Sequence, residues 1–166
     1  MAAIESILDE LGREAATTRR VLERVPSDNL SWKPHQKSKS VGELAWHLAS
    51  IPKRIATFVQ ADDVDVTTVK PPPMPETTAG IVEGFERQIA EAKELLAQLD
   101  DAALSRTTTM RRGQVAVFSG PKGALLRSVM LNHSYHHRGQ LSVYLRLLDI
   151  PVPSVYGPTA DEGPGG

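Results

Sequence analysis

The residues that say most about the architecture are 132–141, which read NHSYHHRGQL. His133 and His137 are four residues apart, so on a helix they lie on one face with their Cβ atoms ~6 Å apart. Apolar and aromatic residues continue this face from about residue 119 to about residue 148: Leu126, Met130, Leu141, Tyr144 and Leu148. The pattern predicts a long core-facing helix with two histidines in its buried stripe.

Three further stretches show the spacing of an amphipathic helix. The first covers residues 4–25 and ends before Pro26. The second begins at Ser40, where Ser-Val-Gly-Glu has the form of a capping box, and Pro52 is expected to bend it. The third covers about 78–99. These helices and two long connections predict an all-α chain, a four-helix bundle with long crossing loops.

The connections are polar or rich in proline. Residues 61–76 end in a PPPMP run that is typical of a stiff spacer. The acidic run Asp62–Asp65 lacks the turn glycine and the bidentate glutamate of a calcium loop, so we expect a solvated loop. Residues 114–118 can form a short extended segment. We expect one domain over residues 1–156 and a flexible tail over 157–166.

Composition excludes several classes of protein. A chain of 166 residues with 40% apolar and 23% charged residues is typical of one globular domain. The net charge of −1 gives no basic face for nucleic acid. The absence of cysteine excludes disulfides, thiolate metal sites and a cysteine nucleophile. Residues 1–11 are too acidic for a secretory signal, and no apolar run reaches the ~20 residues that span a membrane, so we expect a cytoplasmic protein.

A third histidine lies in the apolar stripe of the second helix. His47 stands between Leu44 and Ile51, where a single histidine is usually a hydrogen-bonded core residue. Together with His133 and His137 it can bind one divalent ion between two helices, because imidazole nitrogens bind zinc at ~2.0–2.1 Å. Three histidines leave at least one coordination position open, which is typical of a catalytic rather than a structural site.

The other two histidines are not expected to bind this ion. His136 is ~100° from His137 around the helix, and His35 lies in a polar loop. Three residues near the triad are candidate catalytic groups. Glu43 can act as a general base, although its place in the capping box favours a bond to the Ser40 backbone. Gln140 and Tyr144 can orient a ligand or a substrate, or close a local hydrogen bond.

The motifs together resemble those of the DinB-like family. They are the 132–141 string followed by YLR at 144–146, WKPH at 32–35, VGELAWHL at 41–48 and PSVYGP at 153–158. The resemblance implies a four-helix bundle in which His47, His133 and His137 hold a divalent metal, usually zinc or nickel, and in which homodimers are common. Related proteins include thiol-dependent S-transferases and a mycothiol-dependent isomerase. Asp149 replaces the glycine that often ends the last helix, which affects the cap and not the site.

Three functions remain open at this point. The first is a metal-dependent transferase, in which the ion lowers the pKa of a low-molecular-weight thiol that attacks a small electrophilic substrate. The second is a metal-dependent hydrolase of a small ester or amide, which needs no thiol. The third is a non-catalytic metal-binding stress-response protein, in which loss of a histidine lowers stability and changes no rate. We favour an enzyme. Imidazole ligands do not choose between zinc, nickel, copper and iron.

Overall fold

Four long helical segments dominate the fold of the computed structural model, which describes residues 2–163. They are α1 (Ala3–Leu22), α2 (Val41–Phe58), α3 (Thr78–Leu96) and a continuous segment from Lys122 to Leu147. A short helix, α4 (Asp101–Ser105), and a 3-10 turn at Ser27–Asn29 lie in the connections. The expectation of a mainly helical chain is confirmed, with each long helix near its predicted position.

The capping box at the start of α2 is present as predicted. The Glu43 amide donates to Ser40 Oγ at 3.1 Å, and the Ser40 amide donates to the Glu43 carboxylate at 2.6 Å. These bonds satisfy two of the amides that a helix start leaves without intrahelical partners. The helix continues through the buried Pro52 to Phe58. This start fixes the register of α2 and therefore the direction in which His47 points.

The segment from 122 to 147 is not one regular α-helix. It consists of α5 (Lys122–Leu125), a π-helical segment (Leu126–Asn132) and α6 (His133–Leu147). A π-helix has wider turns than an α-helix. Such segments are rare in proteins as a whole, and those that occur are often at functional sites. This one ends immediately before His133, so it sets the rotation of α6 and the direction of both histidines on its first turns.

A small three-stranded sheet corrects the all-α prediction. It contains β1 (Asp63–Asp65), β2 (Thr107–Arg112) and β3 (Val115–Pro121), with β1 parallel to β2 and β2 antiparallel to β3. The predicted extended segment at 114–118 overlaps β3, which begins one residue later at Val115. The acidic run is a strand rather than a loop, and Arg111 Nη2 lies 2.7 Å from Asp63 Oδ1. Gly113, with φ of 60°, provides the tight turn between β2 and β3.

The core lies between the four long helical segments. α2 is the central element, because it packs against α3, α6 and the π-helical segment, while α1 packs against α3 and α6. The fully buried residues include Leu22, Leu48, Ile55, Ile81, Leu96, Leu126 and Met130. No helix within residues 2–163 is long and apolar enough to cross a membrane.

The C-terminal segment contacts the helices through two carboxylates. Asp161 forms an ion pair with Arg146, and Glu162 accepts the Ser154 amide at 2.7 Å and pairs with Arg24 at 3.4 Å. The single-domain boundary at 156 and the flexible tail over 157–166 stay predictions, and the last three residues of that tail lie outside the described part of the chain.

The end of α6 has a Schellman motif with an aspartate at its left-handed position. Asp149 has φ of 56°, its amide donates to the Arg146 carbonyl at 3.1 Å, and the Ile150 amide donates to the Leu145 carbonyl at 3.0 Å. Glycine adopts this conformation without the steric cost of a Cβ atom, and the aspartate charge is unfavourable at a helix C-terminus.

We expect Asp149→Gly to raise the free energy of unfolding by about 0.5–1 kcal/mol in urea unfolding. Asp149→Asn is the control, because it removes the charge and keeps the Cβ atom, so its gain should be smaller. A loss of stability in Asp149→Gly would contradict the proposed strain.

Candidate metal centre

The structure brings His47, His133 and His137 together through their Nε2 atoms. The Nε2 of His133 and the Nε2 of His137 are 2.6 Å apart, and the His47 Nε2 lies 3.1 Å from the His137 Nε2 and 3.5 Å from the His133 Nε2. All three residues are half-buried. Within residues 2–163 they are the one group of three or more histidines and carboxylates whose ligand atoms are close enough to hold a metal ion.

One local bond fixes which nitrogen of His137 faces the centre. The His137 Nδ1 donates to Gln140 Oε1 at 2.7 Å. A neutral imidazole with a proton on Nδ1 carries a lone pair on Nε2. His137 therefore presents the lone pair of its Nε2 toward the Nε2 of His133 at 2.6 Å, an arrangement that a cation bound between the rings would stabilise.

The nitrogen separations are close to those of a metal site. Two ligand nitrogens at ~2.0–2.1 Å from one ion, with an angle of ~90–110° between them, lie ~2.9–3.4 Å apart. Of the three observed separations, 3.1 Å lies within this range, 2.6 Å lies below it and 3.5 Å lies just above it. The residues present therefore fit a divalent ion held by three imidazoles, which can be zinc, nickel or another metal that imidazole suits.

Burial keeps the three imidazoles neutral at physiological pH. It lowers the pKa of His47 to about 3 and that of His133 to about 4, and the positive charge of neighbouring histidines and of Arg54 adds to both effects. Burial also lowers the pKa of His137, against the raising effect of its bond to Gln140. A metal ion therefore competes with protons at these nitrogens only below the usual titration range of histidine.

The charges around the triad are mainly positive. Arg54 lowers the pKa of all three histidines, and Lys39 lowers the pKa of His47 and His137. Arg54 is seven residues after His47 on α2, which places it ~20° from His47 around the helix and ~10 Å further along it. The sequence analysis missed Arg54, although its i+7 spacing from a candidate ligand was visible.

Glu43 and Tyr144, two of the candidate catalytic residues, contact residues outside the triad. Glu43 contacts the Ser40 amide and lies 3.7 Å from Lys33, and these contacts, the Ser40 bond first, lower the pKa of its carboxyl. The Tyr144 ring lies edge-on against Trp32 with centroids 5.8 Å apart. His136 is exposed, although its ring centroid is 5.0 Å from that of His137, and His35 is exposed as expected.

Gln140 is the candidate that contacts the triad directly. Its Oε1 fixes the ring of His137 and the nitrogen that carries the proton, a role that groups behind metal ligands commonly have. We expect Gln140→Ala to weaken zinc or nickel binding by about 10- to 100-fold in a competition titration with a chelator.

Gln140→Glu is the matched variant for this prediction. It keeps an oxygen at the same place and should retain affinity much closer to that of the wild type. Equal affinities in Gln140→Ala and the wild type would show that the contact does not orient His137.

Comparisons with known proteins agree with this fold. The model of the DinB family matches residues 2–164. The uncharacterised protein YrdA of Bacillus subtilis strain 168 is 26% identical over 153 residues, which are 90% of this chain and 85% of that protein.

Solved structures show the same likeness. A DinB-like protein from Bacillus cereus ATCC 10987 superposes with a TM-score of 0.72 at 25% identity, over 92% of this chain and 97% of the other. The DinB-like protein YjoA from Bacillus subtilis superposes with a TM-score of 0.69 at 20% identity, over 95% and 98%. With a family model that matches nearly every residue, the chain belongs to the DinB family.

Proposed function

We propose that the protein is a metal-dependent enzyme of the thiol-dependent S-transferase type. The observation that carries the proposal is the convergence of three Nε2 atoms within 3.5 Å of one another in a positively charged surrounding. Three imidazoles leave coordination positions for a further ligand, and the neighbouring cations favour an anionic one.

The position of Glu43 favours a thiol over water as the nucleophile. A hydrolase that activates water commonly uses a carboxylate as general base, and that base must reach the water by a hydrogen bond. The Glu43 carboxylate instead caps α2 through the Ser40 amide. A thiol needs less help, because its ordinary pKa of ~8.5 is already close to neutral. The chain has no cysteine, so this thiol would come from a small molecule.

The residues of the chain then have separate roles. His47, His133 and His137 would hold the ion, which when bound supplies the charge that lowers the pKa of a coordinated thiol. Gln140 holds the His137 ring in place, and Lys39 and Arg54 stabilise negative charge near the triad. The thiol proton leaves to solvent, the sulfur forms a bond to an electrophilic carbon, and the leaving group departs from that carbon with its electron pair.

The test is a thiol-plus-electrophile assay on protein loaded with zinc or nickel. Monochlorobimane reports the reaction by fluorescence, because the C–S bond forms as chloride leaves. Cysteine and glutathione serve as thiols, and p-nitrophenyl acetate without thiol tests hydrolysis. The proposal expects turnover that needs both metal and thiol and that is lost in His137→Ala.

The remaining outcomes separate the alternatives. Ester hydrolysis without thiol would favour the hydrolase, and no turnover by protein that retains its metal would favour the non-catalytic binding protein. A thiol reaction that survives complete removal of metal would contradict the proposal. We also propose that the protein is a homodimer and that it is located in the cytoplasm. Light scattering in solution measures the oligomeric state.

A further inference from the structure

A cavity of about 590 Å³ lies between α2, α3 and the proline-rich connection. We call it the proline-walled cavity. Its walls include Trp46, Ser50 and Arg54 from α2, Gln88 from α3, and residues 69–73 with Pro75. None of the three histidines of the candidate metal centre lines it. Its volume is within the range of sites that bind small molecules.

Two residues that line this cavity each have a buried donor without an acceptor. Arg54 Nε and Gln88 Nε2 are both buried, and neither has a hydrogen-bond partner among the described residues. Only 6% of Gln88 is exposed. Buried polar atoms in native proteins are nearly always paired, and an unpaired one points to a missing partner. Both atoms are N–H donors, so the missing partner is an acceptor.

The charge of the cavity identifies that acceptor as an anion. Its lining has four cationic side chains, Lys53, Arg54, Lys70 and Arg87, and a single carboxylate, Glu91. That carboxylate already forms an ion pair with Lys53. Arg54 forms no ion pair within residues 2–163, although burial lowers its pKa and so penalises its charge. A half-buried guanidinium without a counterion favours a ligand that brings one.

Trp46, Val69 and four prolines form an apolar part of the wall. The Trp46 indole Nε1 donates to the Pro72 carbonyl at 2.9 Å, which holds the proline-rich connection against α2. Gly84 on α3 makes room for the indole, because a Cβ atom there would lie 2.7 Å from the ring. Prolines limit the motion of the opposite wall. The cavity therefore exists before a ligand enters, and its wall suits an apolar body.

We propose that the proline-walled cavity binds a small organic carboxylate with an aromatic or aliphatic body. The carboxylate accepts from Arg54 Nε and Gln88 Nε2, and the body packs against Trp46 and the prolines. This site contains none of the three histidines and does not depend on the proposed transferase reaction, although it shares Arg54 with the surroundings of the metal centre. Because Arg54 also acts on the three histidines, an anion at the cavity would offset positive charge beside them.

The test is a titration with benzoate, followed by nuclear magnetic resonance on metal-loaded protein. The Arg54 Nε–H, the Gln88 amide and the Trp46 indole N–H each give a signal that reports contact at the cavity. The proposal expects saturable shifts of these signals with benzoate and none with benzamide, which is neutral and has nearly the same shape. Phenylacetate and hexanoate extend the test to other bodies.

Variants then identify the groups that bind. Arg54→Met should weaken benzoate binding by at least about 10-fold, because a guanidinium–carboxylate pair is lost. Arg112→Gln, an exposed cation on β2, is the control and should leave affinity unchanged. Should Arg54→Met fail to fold, the exposed Arg87→Gln is expected to weaken binding by about 3-fold through the lost charge.

Three results would overturn the proposal. They are no saturable shift with any of the three carboxylates, equal binding of benzamide, and shifts confined to the histidine rings, which would place benzoate at the metal centre. All readouts are binding signals, so they are independent of whether the thiol assay shows turnover.

Discussion

Replacing His133 or His137 by alanine is expected to remove nearly all bound metal. Each variant should fall from about one equivalent of zinc or nickel per chain to less than about 0.1 after dialysis, because two imidazoles hold such an ion far less tightly than three. The Nε2 atoms of His133 and His137 are 2.6 Å apart, so we expect both residues to bind the same ion and the loss of either to release it. Mass spectrometry of metal content on untagged protein is the measurement.

His136 provides the matched control for this experiment. It is the residue beside His137, its ring lies 5.0 Å from that of His137, and it is exposed rather than turned into the core. His136→Ala should keep about one equivalent of metal. Equal metal content in all variants, or none in the wild type after addition of zinc and nickel, would mean that the triad is a hydrogen-bonded cluster and would remove the basis of the enzyme proposal.

The candidate site was accessible from the sequence because its signals are local. The spacing of His133 and His137 places both on one helix face, and the capping box at Ser40 fixes the phase of the helix that carries His47. The remaining step, that two helices bring these faces together, followed from their shared apolar stripes and from the family resemblance. Gln140 was found for the same reason, since it is three residues from His137.

The β1–β2 pairing was missed because it is not local. Asp63–Asp65 pairs with Thr109–Arg111, more than 40 residues later, and a three-residue acidic strand has no apolar alternation. Its acidic side chains are balanced by arginines of the neighbouring strand, as Asp63 is by Arg111. Of the three strands, only β3 was anticipated from the sequence, as the extended segment at 114–118.

The π-helical segment and the proline-walled cavity were missed for other reasons. Leu126–Asn132 has the same apolar spacing as an α-helix, so the wider turn has no signature in composition or period. The cavity depends on side chains from separate elements, and the missing partners of Arg54 and Gln88 appear only once their neighbours are known. The sequence thus predicts helices and metal-binding residues more readily than it predicts cavities.

Arg138 joins three parts of the chain through a buried charge. Only 1% of it is exposed, its Nη2 lies 2.7 Å from Glu14 Oε2, and its Nη1 donates to Thr18 Oγ1 at 3.2 Å. Its guanidinium stands over the rings of Tyr135 and Tyr156 at 5.4 and 5.0 Å from their centroids. The contact between Arg138 Nη2 and Glu14 is an ion pair without hydrogen-bond geometry.

We expect Arg138→Met to lower the free energy of unfolding by about 3–5 kcal/mol, measured by urea unfolding at pH 7. The substitution leaves Glu14 half-buried without its cation and removes the cation from between two aromatic rings. Tyr156 donates to Glu14 at 2.9 Å, so one of the contacts between the C-terminal segment and α1 should also weaken. For many single domains a loss of this size is a large fraction of the whole stability.

A control and a double variant separate burial from charge. Arg146→Met removes an exposed arginine of the same helix, paired with Asp161, and should cost less than about 1 kcal/mol. Adding Glu14→Leu to Arg138→Met removes the isolated carboxylate and should restore about half of the loss, because the cost lies in breaking a buried pair rather than in lacking one. If Arg138→Met instead costs no more than Arg146→Met, Arg138 does not hold α1, α6 and the C-terminal segment together.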